Sequence, residues 1–183
     1  MPTSTLIRLG GFSAILAGLL RAGSSFIPYL TTEQGIFLEV LYLVTDVLIL
    51  LGLLGVYGYQ HQRAGYWGFL GFLLALIGTA IIAGPDGRIG SMEMYLLGVM
   101  LISAGVLLLA IGTWRANQLS RWVSILWAVS TLVGIGGFLM GGSAWTFVIA
   151  GVAFGLAFIL AGVNIWTDPG MKQAAWPASD GLS

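Results

Sequence analysis

Residues 35–84, GIFLEVLYLVTDVLILLGLLGVYGYQHQRAGYWGFLGFLLALIGTAIIAG, contain two apolar runs separated by the short polar turn QHQRAG at 60–65. Each run is close to the roughly 20 residues that a helix needs to cross the hydrocarbon core of a bilayer. The turn is too short to hold a domain, so we predict two consecutive membrane helices, 35–59 and 66–83. The first run also carries two carboxylates, Glu39 and Asp46.

The composition of the whole chain is that of an integral membrane protein. Of the 183 residues, 58% are hydrophobic and 8% are charged, whereas soluble domains contain roughly 25% charged residues. Seven basic and seven acidic side chains are too few to solvate the outside of a soluble core. The basic residues are scattered singly, which excludes a nucleic-acid footprint, and the absence of cysteine excludes disulfides and thiolate chemistry.

The same length criterion predicts four more helices, at 6–27, 92–114, 122–140 and 145–166. Pro28, the polar segments 85–88 and 115–121, and the reversal at 141–143 separate them. A signal peptide is the alternative for the first run, but Arg21 interrupts it and no cleavage site of small residues follows. We therefore predict an all-α polytopic membrane protein. A single domain, 1–168, would hold six transmembrane helices arranged as three helical hairpins, and 169–183 would form a polar cytoplasmic tail.

The distribution of basic residues predicts the orientation, because Lys and Arg concentrate in the cytoplasmic loops of membrane proteins. Arg88 would lie on the side opposite the termini, and five basic residues on the side that both termini share: Arg8, Arg63, Arg115, Arg121 and Lys172. Both termini are therefore predicted to be cytoplasmic.

Two features bear on how the helices pack. The segment 53–67 aligns without gaps to 108–122, so the three hairpins are either repeats of about 55 residues or convergent membrane sequences. Among the 28 glycines, Gly98, Gly105 and Gly112 recur every seven residues, and Gly151 and Gly155 form a small-xxx-small pair. Such residues let helix backbones approach closely in lipid, which predicts tight packing within the monomer or a homodimer.

The candidate ligand-binding or proton-coupling site comprises Arg21, Glu39, Tyr42 and Asp46. Glu39 and Asp46 are seven residues apart and share one helix face, with Tyr42 near it. We expect Arg21 to pair with Glu39, because the chain reverses near Pro28. That pairing would leave Asp46 as an unpaired acid near the bilayer midplane, where it would bind a ligand or proton, or donate a structural hydrogen bond.

A second group of charges, Asp86, Arg88 and Glu93, would form either the outer rim of a solute path or a solvated loop. His61 is expected to be solvated. One histidine cannot build a metal cluster or a bis-histidine haem site, and no hydrolase, metalloprotease or nucleotide-binding motif occurs. We predict no metal and no cofactor, and an enzyme is the less favoured class.

The run from Asp46 through Gly78 carries a resemblance. A helix ending in G-x-Y (55–57), a Gln-Arg-Ala-Gly turn (62–65) and a Gly-Phe-rich helix (68–78) resemble small multi-pass bacterial membrane proteins of unknown function, as does the opening RLGGFSAILAGLL (8–20). The resemblance implies six helices and the bacterial inner membrane, and it implies no activity.

These observations favour a membrane protein that binds, senses or transports a small or amphiphilic solute through a polar pocket between the first two helices. The alternative is a non-catalytic accessory subunit of a larger membrane complex, in which the charges and glycine faces direct assembly. Expected partners are membrane lipid and a small-molecule solute, with a second copy or another membrane protein as the protein partner.

Overall fold

The protein is described by a computed structural model that covers residues 3–30, 35–84, 88–89, 92–141 and 143–170. The described chain is helical apart from one short antiparallel strand pair, β1 (Arg88–Ile89) with β2 (Met92–Glu93). The helices are α1 (Thr3–Ser24), α2 (Ile27–Leu30), α3 (Ile36–Ala83), α4 (Met94–Ala116), α5 (Arg121–Leu139) and α6 (Ala144–Thr167). Within these ranges, five helices are long and apolar enough to cross a membrane, which supports a membrane-embedded protein.

Helix α3 is 48 residues long because it consists of two arms that meet at Gly65. Gly65 has φ 62° and ψ −167°, a conformation that glycine adopts without steric cost. Across this residue, the rings of Tyr57 and Phe72 stack with centroids 4.3 Å apart. In an uninterrupted helix these two positions would be separated by about 22 Å. The chain therefore doubles back at Gly65, and we call 36–64 the first arm and 66–83 the second arm.

This reversal differs in detail from the predicted polar turn at 60–65. The backbone stays helical through Ala64, and one residue with a positive φ angle makes the break. The residues before the break divide between two environments: Gln60 is fully buried, whereas His61, Gln62 and Arg63 are exposed. Polar composition marked where the chain reverses, but it overestimated how many residues leave the helix.

Small residues bring α1 and the first arm into backbone contact. Gly10 lies against Gly55, and a Cβ atom added to Gly10 would lie 2.5 Å from the Cα of Gly55. One turn further, Ala14 lies against Gly52. Because lipid provides no hydrophobic drive between helices, contact over such small side chains is a main source of their association.

The second arm packs in the same way against α4, antiparallel to it. The predicted seven-residue glycine series on α4 faces this arm throughout: Gly98 lies against Gly78, Gly105 against Ala75, and Gly112 against Gly68. The series therefore lines an interface within one chain. Of the two packing alternatives, the structure shows tight packing within the monomer at this face.

Helix α6 connects the two sides of the bundle. It packs antiparallel to α1 through Gly155 against Gly18 and Gly162 against Gly11. It also packs against α5, where the indole of Trp127 meets the ring of Phe158 edge-on at 5.5 Å. Both aromatic side chains are completely buried and belong to the hydrophobic core.

These packings define the two ends of the bundle. The Arg63 end contains the start of α1, the reversal at Gly65, the loop 117–120 and the end of α6. The Glu39 end contains the end of α1, the start of α3 and the loop between α5 and α6. The repeat hypothesis remains a prediction: Gly10–Gly55 and Gly68–Gly112 are equivalent glycine contacts at the Arg63 end. In contrast, α5 and α6 approach at the Glu39 end, through Gly137 and Thr146.

Replacing Gly105 with alanine should destabilise the protein. The new methyl group would overlap the backbone of Ala75, with its Cα at 2.8 Å, and neither backbone can yield without separating α4 from the second arm. Overpacking of this kind costs about 1–3 kcal/mol. The matched control is Gly136→Ala on α5, where no atom lies within 4 Å of the added Cβ. Thermal unfolding in mild detergent should show a lower midpoint for Gly105→Ala alone, and equal midpoints would contradict the packing described here.

Candidate functional site

The contacts between α1 and the first arm determine which charged side chains meet. Facing residues are Ile7 and Gly58, Gly10 and Gly55, and Ala14 and Gly52, so their numbers add up to 65 or 66. Continuing this register puts Arg21 level with positions 44 and 45. Asp46 is one or two positions from that level, whereas Glu39, the other acid of the first arm, is five or six positions from it. We call Arg21 and Asp46 the charged pair.

The expected pairing of Arg21 with Glu39 is not found among the described residues. Glu39 is exposed and lies about 8 Å further along the helix axis, at 1.5 Å per residue, than the level of Arg21. The expectation assumed a tight reversal at Pro28. The connection is longer than that, since α1 ends at Ser24 and α3 begins at Ile36, and the longer connection shifts the register between the two helices.

The expected position of Asp46 at the middle of its helix also requires correction. The first arm runs to residue 64, which moves its midpoint to residue 50. By the register above, Asp46 is level with residues 19 and 20 of α1, about 7 Å from the level of Ser24. The charged pair therefore lies toward the Glu39 end of the bundle, where a charge is less costly than at the centre of a bilayer.

The charged pair opens on the outer surface of the bundle. Arg21 is exposed and Asp46 is half-buried, and Tyr42, one turn away on the first arm, is 37% exposed. The surrounding surface is apolar, with exposed side chains that include Leu19 and Val47. A basic and an acidic side chain thus lie beside a surface whose apolar composition suits lipid chains.

The end of α1 is held by its own side chains. The hydroxyls of Ser24 and Ser25 both donate to the carbonyl oxygen of Arg21, at 3.1 and 2.8 Å. Ser25 also lies against Gly151 of α6. The same carbonyl also accepts the backbone N–H of Ser25 at 3.3 Å, so side-chain and backbone bonds together hold the last turn of α1, which carries the guanidinium.

The predicted outer rim is only partly within the described residues. Asp86 lies outside them. Arg88 is in β1 opposite Glu93 in β2, so the strand register places these two positions across from each other. Glu93 is exposed. The strand pair joins α3 to α4 at the Glu39 end, the same end as the charged pair.

Several polar contacts at the Arg63 end join residues that are far apart in the sequence. Tyr59 donates a hydrogen bond to the Asp168 carboxylate at 2.6 Å, which ties the first arm to the residue after α6. The Arg8 guanidinium lies 4.6 Å from the ring centroid of Trp166. Each contact joins residues more than 100 positions apart, so no local sequence pattern predicts it. His61 agrees with expectation, since its exposed ring contacts only the carbonyl of Gly58 among the described hydrogen-bonding groups, at 2.8 Å.

No protein-family model, curated protein or solved structure matches this chain. Within the part of the chain that the structure describes, no three His, Asp or Glu side chains converge as a metal site would require. The candidate site therefore rests on the charged pair, with Tyr42 beside it and Glu39 about two turns of helix away.

A double-mutant cycle tests the charged pair. Arg21→Gln and Asp46→Asn should couple by at least about 0.5 kcal/mol in the free energy of unfolding, since each variant removes the electrostatic partner of the other. Arg21→Gln with Glu39→Gln is the matched control and should be additive. Unfolding in mixed micelles measures both cycles. Coupling to Glu39 instead of Asp46 would show that the register deduced here is displaced.

Proposed function

We propose that this protein binds an amphiphilic solute or lipid through the charged pair, with Arg21 and Asp46 engaging the polar head and the apolar surface beside them holding the hydrocarbon portion. The observation that carries this proposal is that opposite charges lie at nearly the same level of two neighbouring helices, with Arg21 exposed and Asp46 half-buried beside apolar surface. The pair lies toward one end of the bundle, where a charge is less costly than at the bilayer centre and where a lipid head group can reach it.

The chemistry of the pair suggests the kind of head group. A guanidinium binds phosphate or carboxylate oxygens with strong, charge-assisted hydrogen bonds, and a carboxylate accepts from an ammonium or hydroxyl group. A head group that carries both an anionic oxygen and a hydrogen-bond donor would therefore engage both residues. The exposed hydroxyl-bearing ring of Tyr42 lies one turn away as a further contact.

Native mass spectrometry of the gently solubilised protein tests the proposal. The intact protein should retain a small amphiphile or defined lipid, and Asp46→Asn and Arg21→Gln should each lose it because half of the head-group site is removed. Glu39→Gln is the matched control, an isosteric change at an exposed acid of the same helix, and it should keep the bound molecule.

Two outcomes would overturn this function. Retention of the same molecule by Asp46→Asn and Arg21→Gln would show that the charged pair does not bind it. Stoichiometric protein partners without any bound amphiphile would instead favour the accessory-subunit alternative. The exposed start of the first arm, with Ile36 79% and Phe37 77% exposed, would then be the first surface to examine for contact with such a partner.

The distribution of basic residues supports one orientation of the bundle in the membrane. We propose that the two arms of α3 cross the bilayer separately, so that six segments cross it as three antiparallel pairs with the Arg63 end in the bacterial cytoplasm. Arg8, Arg63, Arg115 and Arg121 all belong to that end, which supports this orientation. The charged pair would then lie in the outer leaflet, near the level of the lipid head groups.

Single-cysteine variants test this membrane arrangement. The unmodified chain contains no cysteine, so only the introduced thiol can react. Thr3→Cys and Gln62→Cys, both exposed at the Arg63 end, should be protected from a membrane-impermeant thiol reagent in intact cells and react after permeabilisation. Ser143→Cys, exposed at the opposite end, should react in intact cells. Labelling of Gln62→Cys but not of Thr3→Cys in intact cells would contradict two crossings by α3, and labelling of both would contradict the orientation.

A further inference from the structure

At the Arg63 end, six buried polar side-chain atoms have no hydrogen-bond partner among the described residues. Three belong to the partly exposed residues Ser4, Arg8 and Gln118, and the other three belong to buried residues: Oε1 of Gln60, Oγ of Ser124 and the indole Nε1 of Trp127. Gln60 and Trp127 are 0% exposed and Ser124 is 3% exposed. More than nine in ten buried polar groups in folded proteins are paired with protein or water, so a group of three such atoms indicates a further occupant.

Gln60 and Ser124 lie at the same level of the bundle. Gln60 on the first arm donates from Nε2 to Oγ1 of Thr113 on α4, at 2.8 Å. Thr113 lies three residues before the end of α4, and Ser124 lies three residues after the start of α5, on the other side of the loop 117–120. In an antiparallel pair joined by so short a loop, positions equally far from it face each other. Ser124 is therefore level with Thr113 and hence with the amide of Gln60.

Trp127 completes the group from the next turn of α5. It lies three residues after Ser124 on the same buried face, and long side chains on a helix lean toward its N-terminus. That direction leads from Trp127 toward the level of Ser124. On its other side, the indole contacts Phe158, which offers no hydrogen-bonding group.

The hydrogen-bonding capacity of the group matches that of water. One end of the Gln60 amide remains unpaired whichever way the amide is turned. The Ser124 hydroxyl both donates and accepts, and the Trp127 indole only donates. Gln60, Thr113, Ser124 and Trp127 carry no charge, so the group does not favour an ion. Buried waters in proteins typically make about three such hydrogen bonds.

We propose that Gln60, Ser124 and Trp127 surround an internal water site that joins α3, α4 and α5 at the Arg63 end of the bundle. The site is separate from the charged pair: Gln60 and Asp46 are fourteen residues apart on the first arm, about 21 Å along the helix. The water supplies hydrogen bonds that the side chains cannot make to one another, and it thereby links the first arm to the α4–α5 hairpin.

The direction in which Ser124→Ala shifts the thermal unfolding midpoint tests this site. If Ser124 bonds to a bound water, Ser124→Ala should lower the thermal unfolding midpoint, because a satisfied buried bond is lost. If the hydroxyl is unpaired, removing it should leave the midpoint unchanged or raise it. Ser130→Ala is the matched control on the same helix, since Ser130 donates to the carbonyl of Ala150 at 2.8 Å and its loss must destabilise. A Ser124→Ala midpoint at or above that of the unmodified protein would overturn the proposal.

Water-edited solid-state NMR in lipid bilayers gives a direct second test. The Trp127 indole signal is identified by its loss in Trp127→Phe, and it should receive water polarisation nearly as fast as the exposed indole of Trp122, which is 63% exposed. The methyl groups of Leu53, 0% exposed in the apolar core, provide the dry reference. Transfer to Trp127 as slow as to Leu53 would exclude the water site even if Ser124→Ala destabilises the protein for another reason.

Discussion

Close backbone contact over glycine and alanine is the constraint on which this structure depends. The helices that a bilayer would surround gain nothing from burying leucine against leucine, since lipid chains are equally apolar, so their association depends on how closely the backbones approach. Gly10 against Gly55 and Gly105 against Ala75 are such contacts. They also set the register of one helix along the next, and this register decides how far each polar side chain lies from the ends of the bundle.

The charged pair illustrates this dependence. Attraction between opposite charges does not by itself decide which acid lies near Arg21, because Glu39 lies on the same helix as Asp46 and carries the same charge. The register set at Gly52 and Gly55 brings Asp46 to the level of the guanidinium and leaves Glu39 further out. A contact between uncharged residues about 10 Å or more away along the helix thus decides which acid lies near the level of Arg21.

The two ends of the bundle differ in how they hold polar groups. At the Glu39 end, Arg21 and Glu39 are exposed and Asp46 is half-buried, and apolar surface lies beside them, an arrangement suited to an amphiphilic head group. At the Arg63 end, Gln60 and Ser124 are buried among helices, and Tyr59 is bonded to Asp168. Buried uncharged groups of this kind join helices to one another. The proposed ligand binding therefore concerns the Glu39 end, whereas the buried polar contacts of the Arg63 end join helices.

The sequence by itself determined the helical class, the apolar character of the helices and the break between 60 and 66. Each of these depends on local composition: apolar length sets a membrane helix, and glycine permits the positive φ angle at Gly65. It also predicted that Gly98, Gly105 and Gly112 would form one packing face. The level of Arg21 relative to the two acids, the depth of Asp46 and the burial of Gln60 were decided only by the tertiary structure. The physical reason is that periodicity within a helix identifies its faces, whereas the sliding register between two helices depends on which small residues meet across the interface.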